Sequence, residues 1–141
     1  LSRAADGKGH LIVMEIVSYN GTSLAFIGDA WMSLRVRMYF LEKGVQRPGE
    51  LQRCCSRWEC AHAQAAMLRQ LEEKAFFDED EQEILRRGRN ASIHTKAKNA
   101  DIMTYRYATA LEAVIGYLYL FGKAQRLETL WQSLIRIGET L

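Results

Sequence analysis

The sequence is poor in proline and cysteine and carries almost no net charge, and each shortage excludes a class of protein. One proline and ten glycines among 141 residues leave few sites for turns, which favours helices. Three cysteines clustered within seven positions are too few, and odd in number, for a disulfide framework, so reduced thiols are expected. A net charge of +2 does not by itself indicate a nucleic-acid partner.

Long hydrophobic runs are also missing. The apolar stretch at residues 11–17 is too short for a signal core or a membrane span, and Glu15 interrupts it. The chain is 48% hydrophobic and 26% charged, which is typical of a folded globular domain, and its length suits one hydrophobic core. We therefore expect a soluble, cytoplasmic protein without a membrane partner, in which residues 1–19 form a tail or short segment and residues 20–141 form one domain.

Apolar residues recur at helical spacing along most of the chain. A first helix is predicted from a cap at Thr22 or Ser23 to about Lys43, followed by a loop at Pro48-Gly49. A second helix is predicted from the apolar pattern between Leu51 and Leu68. A third begins at a capping box formed by Asp78 and Glu81 and ends at Arg86-Arg87-Gly88. Two more are predicted at residues 101–121 and in the amphipathic stretch from Leu127 to Ile137. Residues 89–100 lack an apolar period and are predicted as a loop. With no hairpin signal and no repeat, the predicted fold class is all-α.

Two acidic residues stand in helices that are otherwise apolar. Asp29 is the only charged residue between Gly21 and Leu34, and Glu112 is the only one in residues 107–122. Neither has a basic residue three or four positions away, so each carboxylate is expected to lose solvation without local compensation. Each acid alone is compatible with a surface position or a distant arginine, but a shared divalent cation explains the pair more economically. Hard oxygen ligands and retained waters favour magnesium over zinc.

Charge changes sign abruptly before the helix that contains Glu112. Residues 72–83 contain seven acids and one lysine, whereas residues 86–98 contain five bases and no acid. The acidic stretch is most simply a solvated helix face. The basic stretch is a candidate phosphate-binding surface, because clustered Lys and Arg side chains release counterions from phosphates. Its candidate residues are Arg87, Arg89, Lys96 and Lys98.

The residues around the two acids resemble motifs of the ribonuclease III family. Residues 24–30 (LAFIGDA) resemble its signature helix, and residues 109–120 (TALEAVIGYLYL) resemble its second acidic motif. Residues 87–91 (RGRNA) and 98–107 are similar to those of Mini-III ribonucleases, the form without an appended double-stranded-RNA-binding domain. The resemblance spans about residues 20–138, and it implies a helical bundle like the ribonuclease III endonuclease domain.

Two positions depart from the pattern of the larger ribonuclease III enzymes, and a third departs from the usual sequence of the basic loop. Ala25 and Thr109 stand where those enzymes carry further acids. Mini-III ribonucleases are similar to this chain at both positions. The resemblance therefore implies that Asp29 and Glu112 are the whole catalytic and metal-binding carboxylate set. Ala97 replaces the usual proline of the basic loop, which leaves the rigidity and sequence preference of that loop open.

The resemblance also implies an activity. It indicates a magnesium-dependent endoribonuclease that cuts double-stranded RNA into 5′-phosphate and 3′-hydroxyl ends and matures a large-subunit ribosomal RNA precursor. A homodimer, with Trp31 and Leu34 as candidate interface residues, would supply one site for each strand, and the four candidate bases would bind RNA. The main alternative is a non-catalytic ribonuclease III-like scaffold for structured RNA, which has no need of two uncompensated acids. A helical dimerisation module without an RNA partner would explain neither the acids nor the basic loop.

Overall fold

The computed structural model describes residues 20–91 and 99–141, and it confirms the all-α prediction for them. Six helices follow one another in these ranges: α1 (Gly21–Glu42), α2 (Pro48–Glu59), α3 (Ala61–Glu73), α4 (Glu79–Arg89), α5 (Asn99–Leu120) and α6 (Ala124–Gly138). Each helix described is too short or too polar to span a bilayer. The predicted N-terminal segment at 1–19 lies outside the described residues, as do Lys96, Ala97 and Lys98 of the basic stretch.

The first helix begins earlier than its sequence pattern predicts. The cap is Asn20, whose side-chain oxygen accepts a hydrogen bond from the Ser23 backbone N–H at 2.8 Å, so the prediction of Thr22 or Ser23 was wrong. The C-terminal end agrees with the prediction, because Gly44 adopts a φ of +93° just beyond the helix.

The segment predicted as one helix after Gly44 is two helices. Pro48 and Gly49 open α2 instead of forming a loop, because proline needs no N–H partner in the first turn. The backbone then becomes extended at Cys60, where φ is −67° and ψ is 157°, and α3 begins at the next residue. Both helices keep an apolar face toward the core, so the apolar period continues across the break and conceals it.

The capping box that begins α4 is confirmed. The Asp78 carboxylate accepts from the Glu81 N–H at 2.8 Å, and the Glu81 side chain accepts from the Asp78 N–H at 3.0 Å. Glu81 is almost fully buried and also pairs with Arg126 of α6 at 2.8 Å. One acid of the acidic stretch therefore ties α4 to α6 instead of lying on a solvated face.

The core is arranged around α5, whose residues 110–118 are almost all buried. Helix α1 crosses α5 with their backbones in contact. A Cβ atom on Gly28 would lie 1.7 Å from the Glu112 carbonyl oxygen, and one on Gly116 would lie 1.9 Å from the Leu24 carbonyl oxygen. Only glycine permits such an approach, and the crossing places Asp29 and Glu112 at neighbouring positions.

Candidate active site

The crossing of α1 and α5 brings together the two acids that the sequence singled out. Asp29 and Glu112 lie close enough for Asp29 to raise the pKa of the Glu112 carboxyl group. They lie in an open cleft of about 420 Å³, whose lining residues are Thr22, Ala25, Phe26, Asp29, Tyr105, Thr109 and Glu112. Ala25 and Thr109, the two positions at which the resemblance implies missing acids, thus line the same cleft.

The two carboxylates differ in their solvation. The expectation that both would lose solvation is wrong for Asp29, which is exposed, and holds for Glu112, which is half-buried. Burial, the hydrogen bond with Asp29 and the negative charge of Asp29 together raise the pKa of Glu112 to about 8. Within residues 20–91 and 101–141, no ion pair to a basic side chain compensates either acid.

Two further polar residues, near the junction of α2 and α3, affect the pKa of the Glu112 carboxyl group. The amide of Gln64, which is buried on α3, lowers this pKa, whereas the negative charge of Glu59 raises it. The Ser33 hydroxyl donates a hydrogen bond to Glu59. The sequence analysis missed both residues. Gln64 was detectable, because it lies three residues after Ala61 and four before Leu68, on an otherwise apolar helical stripe.

The donor set of the cleft fits a divalent cation with oxygen ligands. Two adjacent carboxylates repel each other when both are ionised, and a cation between them would relieve that repulsion and displace the proton that Glu112 holds near neutral pH. In the part of the chain that the structure describes, no three His, Cys, Asp or Glu side chains form a ligand cluster. A site with one or two carboxylates and several waters suits magnesium better than calcium or zinc.

The candidate basic residues do not all fall within the described ranges. Arg87 lies 3.1 Å from Glu83, and Arg89 lies 3.5 Å from Glu72. Both arginines are therefore fixed by acids of the preceding stretch, which the sequence analysis treated as a separate, solvated surface. Tyr105 of α5, whose side chain is half-exposed, also lines the cleft.

Comparisons with known proteins identify the family to which this sequence and fold are similar. The family model described as the ribonuclease III domain matches residues 22–123. The Mini-ribonuclease 3 of Staphylococcus aureus is 44% identical over 118 residues, covering 84% of this chain and 88% of that protein. The Mini-ribonuclease 3 of Brevibacillus brevis is 44% identical over 120 residues, covering 85% and 88%. A crystal structure of a Fusobacterium nucleatum protein superposes with a TM-score of 0.72 at 32% identity, covering 83% of this chain and 93% of that one.

Proposed function

The chain belongs to the ribonuclease III family and is an endoribonuclease, and from this premise we propose that it cuts double-stranded RNA with a magnesium ion held by Asp29 and Glu112. The observation that carries the proposal is that these two carboxylates line one open cleft. By family resemblance, a large-subunit ribosomal RNA precursor is its natural substrate. Its three cysteines are free thiols, which supports a reducing compartment such as the cytoplasm.

The residues of the cleft have different roles in hydrolysis. Asp29, exposed on α1, and Glu112, half-buried on α5, hold the ion from two helices whose separation is fixed by the glycine crossing. When bound there, magnesium supplies the charge that polarises the scissile phosphate, activates an attacking water and stabilises the leaving 3′ oxygen. Ala25 is a short, buried residue in the lining of the cleft, so it leaves room in the cleft for a phosphate. The products carry 5′-phosphate and 3′-hydroxyl ends.

The exposed face of α1 supports a homodimer. Its exposed apolar side chains recur at helical spacing, and they are Phe26 (77% exposed), Leu34 (57%), Met38 (43%) and Leu41 (49%). A contiguous apolar stripe of this kind is typical of a protein interface. Trp31, the other interface candidate, is half-buried and packs edge-to-face on Trp131 with ring centroids 5.9 Å apart, so Leu34 is the stronger of the two. Two copies of the cleft would supply one site for each RNA strand.

We expect the protein to shorten a long RNA duplex in magnesium and to leave it intact when a chelator is added. The same RNA as a single strand is the matched substrate control, because an A-form duplex is recognised through its phosphates, 2′-hydroxyls and shape. In the same preparation, sedimentation velocity should give a species of twice the 16.2 kDa chain mass. Duplex binding without cleavage under every metal condition would favour the scaffold alternative, and a stable monomer at micromolar concentration would contradict cutting by two paired sites.

The basic stretch is expected to supply affinity more than chemistry. Replacing Arg87, Arg89, Lys96 and Lys98 together by Ala should weaken duplex binding and flatten its dependence on salt. The slope of log K against log[salt] should fall by about 2 rather than 4, since Arg87 and Arg89 already pair with acids. Arg136→Ala, a change at an exposed arginine of α6, is the control. An unchanged slope in the fourfold variant would show that RNA binds elsewhere.

A further inference from the structure

A second open space of the molecule is a groove between α1 and α2, with a volume of about 360 Å³. Its polar lining residues are Ser33, Arg37, Gln52, Ser56 and Glu59. The first two belong to α1, and the other three belong to α2. The groove therefore presents hydroxyl, amide, carboxylate and guanidinium groups to one open space.

One side of α1 borders both the cleft and the groove. Asp29, Ser33 and Arg37 follow one another at intervals of four residues, so they lie along the same side of the helix. Asp29 lines the cleft, whereas Ser33 and Arg37 line the groove. Arg37 lies about 12 Å along the helix axis from Asp29, which corresponds to a few nucleotides of one strand. A strand whose scissile phosphate lies in the cleft can therefore reach Arg37 along α1.

The positive charge of Arg37 is uncompensated. This residue is exposed, and it forms no ion pair with any residue that the structure describes. Two positions earlier, Arg35 pairs with Glu128 of α6 at 3.1 Å, and Arg87 and Arg89 of the basic stretch are paired with acids as well. An unpaired guanidinium binds a phosphate without first giving up an acidic partner, and it releases a counterion from the nucleic acid when it does so.

The end of the groove that lies nearer the cleft has a different chemistry. There the Ser33 hydroxyl donates a hydrogen bond to Glu59, the last residue of α2. A carboxylate repels a phosphate, so the phosphate position in the groove is at Arg37 and not at Glu59. A ribose 2′-hydroxyl donates hydrogen bonds, and a carboxylate accepts them. Because phosphate and ribose alternate along RNA, a groove with one acid and one base fits an RNA strand better than a bare anion.

We propose that the groove between α1 and α2 holds the RNA strand that leaves the cleft, with Arg37 bound to a phosphate a few nucleotides from the scissile bond. The inference rests on the proposed function, because it takes the cleft as the place where the strand is cut. Arg37 is then a residue that binds and positions the substrate without touching the reacting atoms. Its loss should raise KM for the duplex and leave kcat nearly unchanged.

The first test is Arg37→Ala, which removes the charge at an exposed position. Duplex binding in chelator should weaken by about 10-fold, and the slope of log K against log[salt] should become shallower by about 1 for each bound chain. In magnesium, KM should rise by about 10-fold while kcat stays within about twofold of wild type. Arg37→Lys keeps the charge and should restore the salt slope. The matched control is Arg136→Ala, at an exposed arginine that lines neither the cleft nor the groove, and it should change none of these quantities.

A second test locates the phosphate that Arg37 binds. Neutral methylphosphonates replace single phosphates, one at a time, on either side of a bond that the wild-type protein cuts. At one position within about four nucleotides of that bond, the replacement should slow wild-type cleavage of subsaturating duplex but leave Arg37→Ala cleavage unchanged, because that variant already lacks the contact. Equal effects on the two proteins at every position would overturn the inference.

Failure of the proposed function would give a different pattern. If the wild-type protein binds duplex but never cuts it, the proposed function fails, and the salt slopes of wild type, Arg37→Ala and Arg37→Lys still decide whether the groove binds RNA. An unchanged slope in Arg37→Ala, with cleavage by wild type intact, would overturn the inference alone. Gln52→Glu adds an independent variant, because it places a second carboxylate in the groove at nearly the same size and should weaken duplex binding several-fold. Wild-type affinity in that variant would count against RNA in the groove.

Discussion

Asp29→Asn and Glu112→Gln should each lower duplex cleavage by about 10³-fold or more, while helical content and duplex binding stay close to wild type. The amides keep the size of the side chains and remove the negative charge that a magnesium site requires. Combining the two changes should be scarcely worse than either alone, because both carboxylates belong to one metal-bound unit and such losses are not additive. Initial rates of cutting on one duplex, with filter binding on the same preparations, measure both effects.

The two variants should differ in stability. Since the folded pKa of Glu112 is raised from 4.5 to about 8, ionising this residue destabilises the metal-free fold, and the free energy of unfolding should fall as pH rises from about 4.5 to 8. Glu112→Gln removes that loss and should be more stable than wild type by on the order of 1–2 kcal/mol at pH 8 in chelator. Asp29→Asn relieves only the part of the Glu112 shift that Asp29 causes and leaves the part caused by burial, so it should gain less. Urea unfolding at pH 5 and pH 8 measures the difference.

Two outcomes would count against this assignment. Substantial magnesium-dependent cutting by the double variant would show that the cation is held by other groups. Unfolding of either single variant would instead give that acid a structural role in the crossing of α1 and α5. Glu139→Gln, which alters an exposed carboxylate hydrogen-bonded to Tyr39 at 2.7 Å, controls for the loss of one acid far from the cleft.

Features of the fold with a local cause were predictable from the sequence. The capping box at Asp78 and Glu81 is satisfied within one helical turn, and α6 is defined by apolar residues that recur at helical spacing. The break at Cys60 was not predictable, because one extended residue leaves the apolar period of the flanking helices almost unchanged. The cap at Asn20 was missed because Asn, Thr and Ser stand close together there and all make acceptable caps.

The sequence predicted which acids belong to the candidate site better than it predicted their surroundings. Asp29 and Glu112 were identifiable because each is the only charge on a long apolar stretch. Their solvation was not predictable, since it depends on how α1 and α5 cross. In the structure Asp29 is exposed and Glu112 is half-buried. Gln64 and Glu59 affect the pKa of Glu112 from separate helices, at a separation along the chain that no local pattern encodes.

The glycine crossing, finally, should be as necessary to activity as the acids that it positions. Gly28→Ala is expected to destabilise the fold by about 3–5 kcal/mol, or to abolish cleavage by separating α1 from α5 if the fold survives. The added Cβ would lie 1.7 Å from the Glu112 carbonyl oxygen, and 2.9 Å from the Gly116 nitrogen. Both are backbone atoms within a helix, so neither can rotate away as a flexible side chain would.

Helix propensity alone predicts the opposite change in stability for Gly28→Ala. Alanine is favoured over glycine in a helix interior by about 1 kcal/mol, so a Gly28→Ala variant without a close contact would be more stable than wild type. Gly49→Ala provides that comparison, because Gly49 lies in α2 and its added Cβ would meet only the Arg53 guanidinium, at 3.6 Å. Thermal unfolding should therefore shift downward for Gly28→Ala and stay level or shift upward for Gly49→Ala. A Gly28→Ala protein with wild-type melting temperature, Mn²⁺ affinity and cleavage would show that the α1–α5 contact does not set the spacing of Asp29 and Glu112.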